Sequence, residues 1–538
     1  MSVLDLFEMS LARLTQSLIN PNHRIDDKNQ GREFRYLWCF RGFKRELILL
    51  TGLCVFTLSC VDYRKDHEKV LEEARKPRPR PPFKDDPWFE KYVIEGGGVG
   101  LHPQLALSPG GLLGVAYWST DGEEGEPCDG IEVDDPPLEV RWKLRYATWD
   151  EESGWKSEQV SRPLLLGNPP GLDLDYDRSG KPMVTSIAGE AIPELRYCGG
   201  GNLSIFTPSS DSSAEEWDVE YIVETSDQAM SGEPASDFGF VVGYWPSQSM
   251  SQSGSRMIVY QDVHGGSLQR DDLVRADLEV ALTIGNGDSW TYEVIDLGEG
   301  AGIYNQSLIT NEQFLALYYI SFDAQQSERQ RQGIWLAHRQ DSGEWSRGLV
   351  FGGPTRGEPS MIPFNDGVAV VYYDSLARRP ILAILEDLTQ ISDSEAWARI
   401  PLGDLRYNEG HSPSITRLPD GRIGVAWYRC GPAEVEECRP NDDAVIFSYP
   451  ELNAGVIDEV TESANDGSAE LTLESLRGAW KIEIVESGEE ALCGFSPNVI
   501  VDRAQRVWVT WQCSRRVGAE SSFEYRLESS RRDLFEDL

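Results

Sequence analysis

Basic residues are scarce in this chain: 50 Lys and Arg stand against 89 Asp and Glu, a formal net charge of −39 over 538 residues. A surface that negative repels phosphate backbones and excludes nucleic acid as a partner. It suits cations, basic partners or plain solubility. The apolar run from Leu47 to Leu58 holds about a dozen residues, too few to span a bilayer as a helix. HExxH, GxSxG and the P-loop are all missing, which removes the commonest metalloprotease, hydrolase and NTPase readings. No cysteine spacing forms a zinc knuckle. What is plentiful is aromatic residues, with 16 Trp, 20 Tyr and 18 Phe, enough for a packed core. With 50 Gly and 30 Pro, turns must be frequent, which favours many short strands.

The short apolar run follows Arg41, Lys44 and Arg45, the order of a secretory signal. It ends on Ser59 and Cys60, which resembles a bacterial lipobox although Thr57 stands where Leu is usual. That resemblance implies lipidation of Cys60. Residues 41–59 are then the signal, and 1–40 an upstream extension from a start codon called too early, with initiation near Leu37. The charged, Pro-rich segment 60–85 reads as a tether. The expectation is an exported protein of the cell envelope, an outer-membrane or surface lipoprotein that meets the membrane through a lipid anchor only and is a monomer.

One strand recurs. Segments opening on Trp88, Trp155, Trp217, Trp290, Trp345, Trp397 and Trp480 each place an aliphatic residue about five positions on, and they lie 52 to 83 residues apart. Most are followed by a hairpin such as "HPQLALSPGGLLGVAYW" or "FSPNVIVDRAQRVWVTWQ", then by a third strand such as "LRYATW". Four antiparallel strands at this period describe a propeller blade. In the third unit the first strand falls at about 238–245 and the second on "RMIVYQDV", with a Ser-rich loop between them. The last unit supplies three strands and stops, while the Trp88 strand precedes any complete blade. Pairing the two leaves no open edge. The fold class is therefore all-β, a single seven-bladed β-propeller over 86–538 whose last blade is closed by the N-terminal strand near Trp88.

The combined unit "PQLALSPGGLLGVAYW…LRYATWDEESGWKSEQV" resembles the blades of secreted bacterial β-propeller repeat proteins related to the sialidase and Asp-box propellers. The Asp-box is degraded here, to "QDSGEW" and "NGDSW", and shapes the turn before the fourth strand. In such propellers the 2–3 and 4–1 loops crowd one face around a central channel. Six cysteines map to those loops, and the expected pairings are Cys128–Cys198, Cys430–Cys438 and Cys493–Cys513. Asp173, Asp175 and Asp177 alternate in "DLDYDRSG", a faint calcium-loop pattern on the opposite face, and calcium is the only cofactor in view. No catalytic set is assigned. The most enzyme-like segment is "LRYNEGHSP", with Arg406, Tyr407, Glu409 and His411. His102 and Glu358 fall at nearly equivalent places in other blades, and Arg378, Arg379, Arg429 or Arg515 could clamp a carboxylate. The binding set is His102, Glu358, Arg378, Arg379 and His411. The resemblance implies a non-catalytic binding or scaffolding platform for a glycan or envelope protein. Its alternative is a carbohydrate-active enzyme, a sialidase-like glycosidase or polysaccharide lyase, with its site at the channel mouth. The sialidase arginine triad has no residue-by-residue match.

Overall fold

The computed structural model describes residues from Phe89 to Asp533 apart from connecting segments, the longest being 125–139, 189–200, 225–240, 264–275, 322–330 and 452–472. Cys60, Trp88, Cys128 and Cys198 lie outside the described residues, as do the extension, signal and tether. Among the described residues no helix is long and apolar enough to cross a membrane.

Seven antiparallel sheets follow one another along the chain. Blade 1 is β2 (Val99–Leu107), β3 (Leu113–Glu124), β4 (Val140–Asp150) and β5 (Gly154–Gln159), with the two-residue β6 (Leu164–Leu165) added to β4. Blade 2 is β7 (Asp173–Tyr176), β8 (Pro182–Ala188), β9 (Asn202–Pro208) and β10 (Trp217–Val223). Blade 3 is β11 (Val241–Met250), β12 (Arg256–Val263), β13 (Ala276–Thr283) and β14 (Thr291–Asp296). Blade 4 is β15 (Ile303–Thr310), β16 (Gln313–Ile320), β17 (Gly333–Arg339) and β18 (Trp345–Phe351). Blade 5 is β19 (Ser360–Phe364), β20 (Gly367–Asp374), β21 (Arg379–Leu385) and β22 (Ala398–Pro401). Blade 6 is β23 (Tyr407–Arg417), β24 (Ile423–Pro432), β25 (Ala444–Pro450) and β26 (Trp480–Ser487). Blade 7 is β27 (Ala491–Val501), β28 (Arg506–Val517), β29 (Ser522–Asp533) and, from the other end of the chain, β1 (Glu90–Gly96). The closure is antiparallel, with Glu90 opposite Arg531 and Gly96 opposite Arg526. The expected seven-bladed ring is therefore the observed one.

The middle strands read as continuous apolar runs because each blade is packed on both faces by its neighbours. All eight residues of β13 and all seven of β25 are buried. The third blade departs from expectation. The Ser-rich stretch is no loop, because β11 continues through Met250 and the hairpin closes by a tight turn at Ser251–Ser255. Ser251 Oγ accepts the Ser255 N–H at 3.1 Å, a device repeated in other first hairpins by Ser108, Asp177 and Asp502. Serines there stabilise a turn instead of breaking a strand.

A second repeat governs the inner strands. "GLHPQ" (100–104), "GYWPS" (243–247), "GIYNQ" (302–306), "GHSPS" (410–414) and "GFSPN" (494–498) open five of the seven, and "GEPS" (357–360) is a shortened copy. The first glycine has positive φ at all five, and at Gly410 an added Cβ would sit 2.4 Å from the Pro380 nitrogen of blade 5. The third residue, His102, Trp245, Tyr304, Ser412 or Ser496, is also left-handed, with φ between 43° and 56°. Each coincides with a register shift against the second strand.

These glycines predict a contrast. Gly180 also has positive φ (87°) but a Cβ there meets nothing within 4 Å. Gly180→Ala should lose about 1–2 kcal/mol from its left-handed backbone alone. Gly410→Ala should lose roughly a further 1–3 kcal/mol from the clash with blade 5. Thermal melts of the two variants check the order.

Candidate functional site at the channel mouth

The seven inner strands surround a central channel, and a cavity of about 460 Å³ is lined by residues from all seven. Along an inner strand, side chains alternate, so the third residue of the repeat, the fifth and the seventh face the channel. The fifth-position side chains form the wall. Five of them accept a backbone N–H from the next blade: Gln248 N donates to Asp173 at 2.7 Å, Ser307 N to Ser247 at 2.9 Å, and Val499 N to Ser414 at 3.1 Å. Ile415 N donates to Ser360 at 3.4 Å, and Met361 N to Gln306. Asn498 Nδ2 links blade 7 to blade 1 by donating to Gln104 Oε1 at 3.2 Å.

Above this wall sit the third-position residues. Trp245 meets His102 edge-on with centroids 4.9 Å apart, and Tyr304 at 4.8 Å. Gly171 makes room, because a Cβ there would lie 2.6 Å from the Trp245 ring. His102 Nδ1 of blade 1 and Glu358 Oε1 of blade 5 approach to 3.5 Å across the mouth. That is ion-pair distance without hydrogen-bond alignment, and Nδ1 has no hydrogen-bond partner. Asn305 Nδ2 donates to Trp245 O at 2.9 Å, while its Oδ1 is buried and without a partner. Among the described residues lining the cavity there is no Lys or Arg, but Asp173, Asp175 and Glu358 are all there.

The three alternating aspartates do not gather. Asp173 faces the channel, where it takes the Ser247 hydroxyl at 2.9 Å as well as Gln248 N. Burial pushes its carboxyl up to about 7 against those bonds. Asp175, further down, is raised to about 6 by burial, with Arg256 opposing the rise. Asp177 turns away into the first hairpin and accepts from Ser179 and Lys181. Among the described residues, one group brings metal-ligand atoms within 4.8 Å of one another, namely Cys493, Cys513 and Glu528. A disulfide joins those two cysteines, and another joins Cys430 and Cys438.

The "LRYNEGHSP" residues lie elsewhere. His411 is the second residue of its repeat, not the third. One slot along a strand flips the side chain to the other face, so His411 fills the interblade position that Leu101, Tyr244, Ile303 and Phe495 take in other blades. It packs against Tyr373 at 4.3 Å and Tyr428 at 5.9 Å, and its Nε2 lies 3.2 Å from Asn408 Oδ1. Burial, with help from Arg356, lowers its pKa to about 4. Glu409 is fully buried against Arg429 at 2.7 Å, and that guanidinium lies 4.0 Å over the Tyr407 ring. Arg406 points outward, paired with Asp404. Arg378 donates to Ala433 O at 2.5 Å and Arg379 to Leu402 O at 2.7 Å, so both hold loops. Arg515 lies on β28, opposite Ala491. Of the expected binding residues, only His102 and Glu358 are brought together at the mouth, where the calcium candidates Asp173 and Asp175 share the cavity lining and Trp245, Tyr304 and Asn305 join them. The G-x-x-P-polar repeat was the signal that marks them.

No family model matches the chain, and no curated protein matches it. Solved structures do. A protein of unknown function from Dyadobacter fermentans is 12% identical over 83% of this chain and 99% of its own, with a TM-score of 0.40. A sialidase from Streptococcus pneumoniae is 10% identical over 85% of this chain and 71% of its own, at 0.39. A lectin from Aleuria aurantia is 13% identical over 72% of this chain and 96% of its own, at 0.36.

The His411 environment makes a pH prediction. The folded chain holds this imidazole neutral down to about pH 4, whereas the unfolded one takes a proton near its ordinary value of about 6.5. Protons therefore favour unfolding, and stability is lost as pH falls from about 6.5 toward 4. His411→Phe should remove that part of the acid-side loss. Melting temperatures of both proteins across this window test it, and parallel curves would refute it.

Proposed function

We propose that this chain is an exported, lipid-anchored surface protein whose propeller is a non-catalytic binding platform, with a glycan as ligand at the channel mouth. The observation that carries the reading is the mouth itself. Half-buried Trp245 and Tyr304 stand beside Glu358 over a polar cavity of about 460 Å³. Aromatic faces with a few fixed polar groups are what a sugar needs, the rings meeting its C–H face and the polar groups its hydroxyls. Export and the anchor at Cys60 rest on the signal-like N-terminal segment and its Ser59–Cys60 end.

One observation favours a second reading, a carbohydrate-active enzyme. Asp173 and Glu358 line the same cavity, and burial holds the Asp173 carboxyl up at about 7. A proton-bearing acid and a second carboxylate in one cavity are the groups that glycoside hydrolysis uses. Against it stands the lack of any Lys or Arg among the described lining residues, which leaves sialic and uronic acids without a counter-charge.

Retention on an immobilised glycan array and release of free sugar, measured together on the whole chain, decide between them. The platform predicts retention without product, weakened about tenfold or more in Trp245→Ala and Tyr304→Ala, since a stacked aromatic anchor carries that much. Product that disappears in Asp173→Asn would replace the platform with the enzyme. Silence in both measurements would point to an envelope protein as the partner.

A further inference from the structure

We infer that the ligand at the channel mouth carries a free primary amine, an unacetylated amino sugar in preference to a neutral or acidic one. This rests on the glycan reading above and specifies its chemistry.

The mouth has hydroxyl and amide donors, Ser412, Ser496 and Gln306 among them, but no Lys or Arg among its described lining residues. Asn305 Oδ1 and His102 Nδ1 are buried and make no hydrogen bond within the fold. Glu358, an acceptor when ionised, has only that misaligned contact with His102 at 3.5 Å. Of these groups Glu358 is the one that lines the cavity with a partly exposed carboxylate, and it is the acceptor a ligand can reach. A hydrogen bond from a charged donor to a carboxylate is about twice as strong as one between neutral groups, so a ligand that brings N–H groups with positive charge gains most there. An ammonium offers three donors and a positive charge, and an acetamide offers one donor and none.

The charge points the same way. Glu358 and Asp175 line the cavity beside Asp173, whose carboxyl burial pushes up to about 7 and so leaves largely uncharged at pH 6.5, and no Lys or Arg among the described residues lines it. Arg256 acts on Asp175 alone of these three, below the mouth. Arg356, two residues before Glu358, is exposed and outside the lining, and its field is felt at His411 and Tyr373 on the interblade side. Trp245, its ring held between His102 and Tyr304, adds an aromatic surface that attracts a cation. A carboxylated sugar would meet like charge here. The excess of 39 negative charges over the chain also draws a cationic oligomer in from a distance.

Calorimetric titration of the whole chain at pH 6.5 with three tetramers tests this: glucosamine, N-acetylglucosamine and galacturonate. The expected result is that the glucosamine tetramer binds at least tenfold tighter than its acetylated counterpart, and that Glu358→Gln removes the difference. Equal or tighter binding of the acetylated tetramer overturns the amine inference and leaves the glycan platform standing. Tighter binding of galacturonate overturns it too. A preference that survives in Glu358→Gln shows that the amine sits elsewhere and overturns the site. If none of the three tetramers binds, and the glycan array is silent, the glycan reading fails and this one with it. Should Glu358→Gln not fold, Asn305→Asp serves instead: a new carboxylate at the mouth should increase the preference for glucosamine, and no change would count against the inference.

Discussion

The blade-to-blade hydrogen bond on the channel wall is the contact on which the rest of this molecule hangs. An inner strand is a sheet edge, and an edge presents N–H groups that the sheet cannot pair. Here a short side chain from the preceding blade accepts one of them in five successive steps, from Asp173 round to Ser414. Such a bond requires the blades to approach closely, and glycine two residues before the mouth position permits it. It also requires the strand to be bent into place, and the left-handed residue with its bulge does that. A left-handed non-glycine residue is unfavourable by of order 1–3 kcal/mol and persists only where its surroundings over-determine it. Five such residues ring one mouth, and their side chains are the ones aimed over the cavity. Ring closure, backbone strain and ligand site are consequences of the same contact.

The overall ring was legible in the sequence because its signals are strong and additive. Trp residues mark the fourth strands, and the uneven ends of the chain require the closure that β1 and β29 make. The disulfides at Cys430–Cys438 and Cys493–Cys513 followed from the loop positions that the blades imply. The site was legible only in part, for a physical reason. Reading by the outer Trp strand aligns the rim of the propeller and leaves the inner strands loosely registered by a residue. At period two, a residue is everything: His102 in "GLHPQ" faces the mouth and His411 in "GHSPS" faces the core. The third blade was misjudged similarly, because serine reads as loop when its turn-stabilising hydroxyl bonds are not considered.

Charged residues that resemble catalytic ones are spent elsewhere, on holding blades together. Asp296 of blade 3 binds Arg331 and Arg347 of blade 4, at 2.6 and 2.7 Å. Glu483 of blade 6 pairs with Arg532 of blade 7, and Glu151 of blade 1 with Arg506 and Arg531 of blade 7, at 2.5 and 2.8 Å. Glu409 and Arg429 are the buried counterpart beneath the blade 6 entry. Removing one partner of Glu409–Arg429 or Glu483–Arg532 leaves the other buried and uncompensated, so those residues are fixed by stability before any question of function arises, whereas the exposed Glu151 pairs contribute little.

That assignment gives the remaining carboxylates their meaning. In a chain with so large an acidic excess an isolated Asp or Glu is uninformative, since most are solvated surface. Glu358 is different: it lines a mouth shared by two aromatic side chains, Trp245 and Tyr304, opposite a histidine with which it does not make a proper hydrogen bond. A fold that pairs its rim acids so thoroughly with arginine has the means to pair this one. Leaving it facing a cavity with no Lys or Arg among its described lining residues favours a site whose last partner arrives from solution, and the partner that matches a carboxylate beside aromatic rings is a positively charged donor.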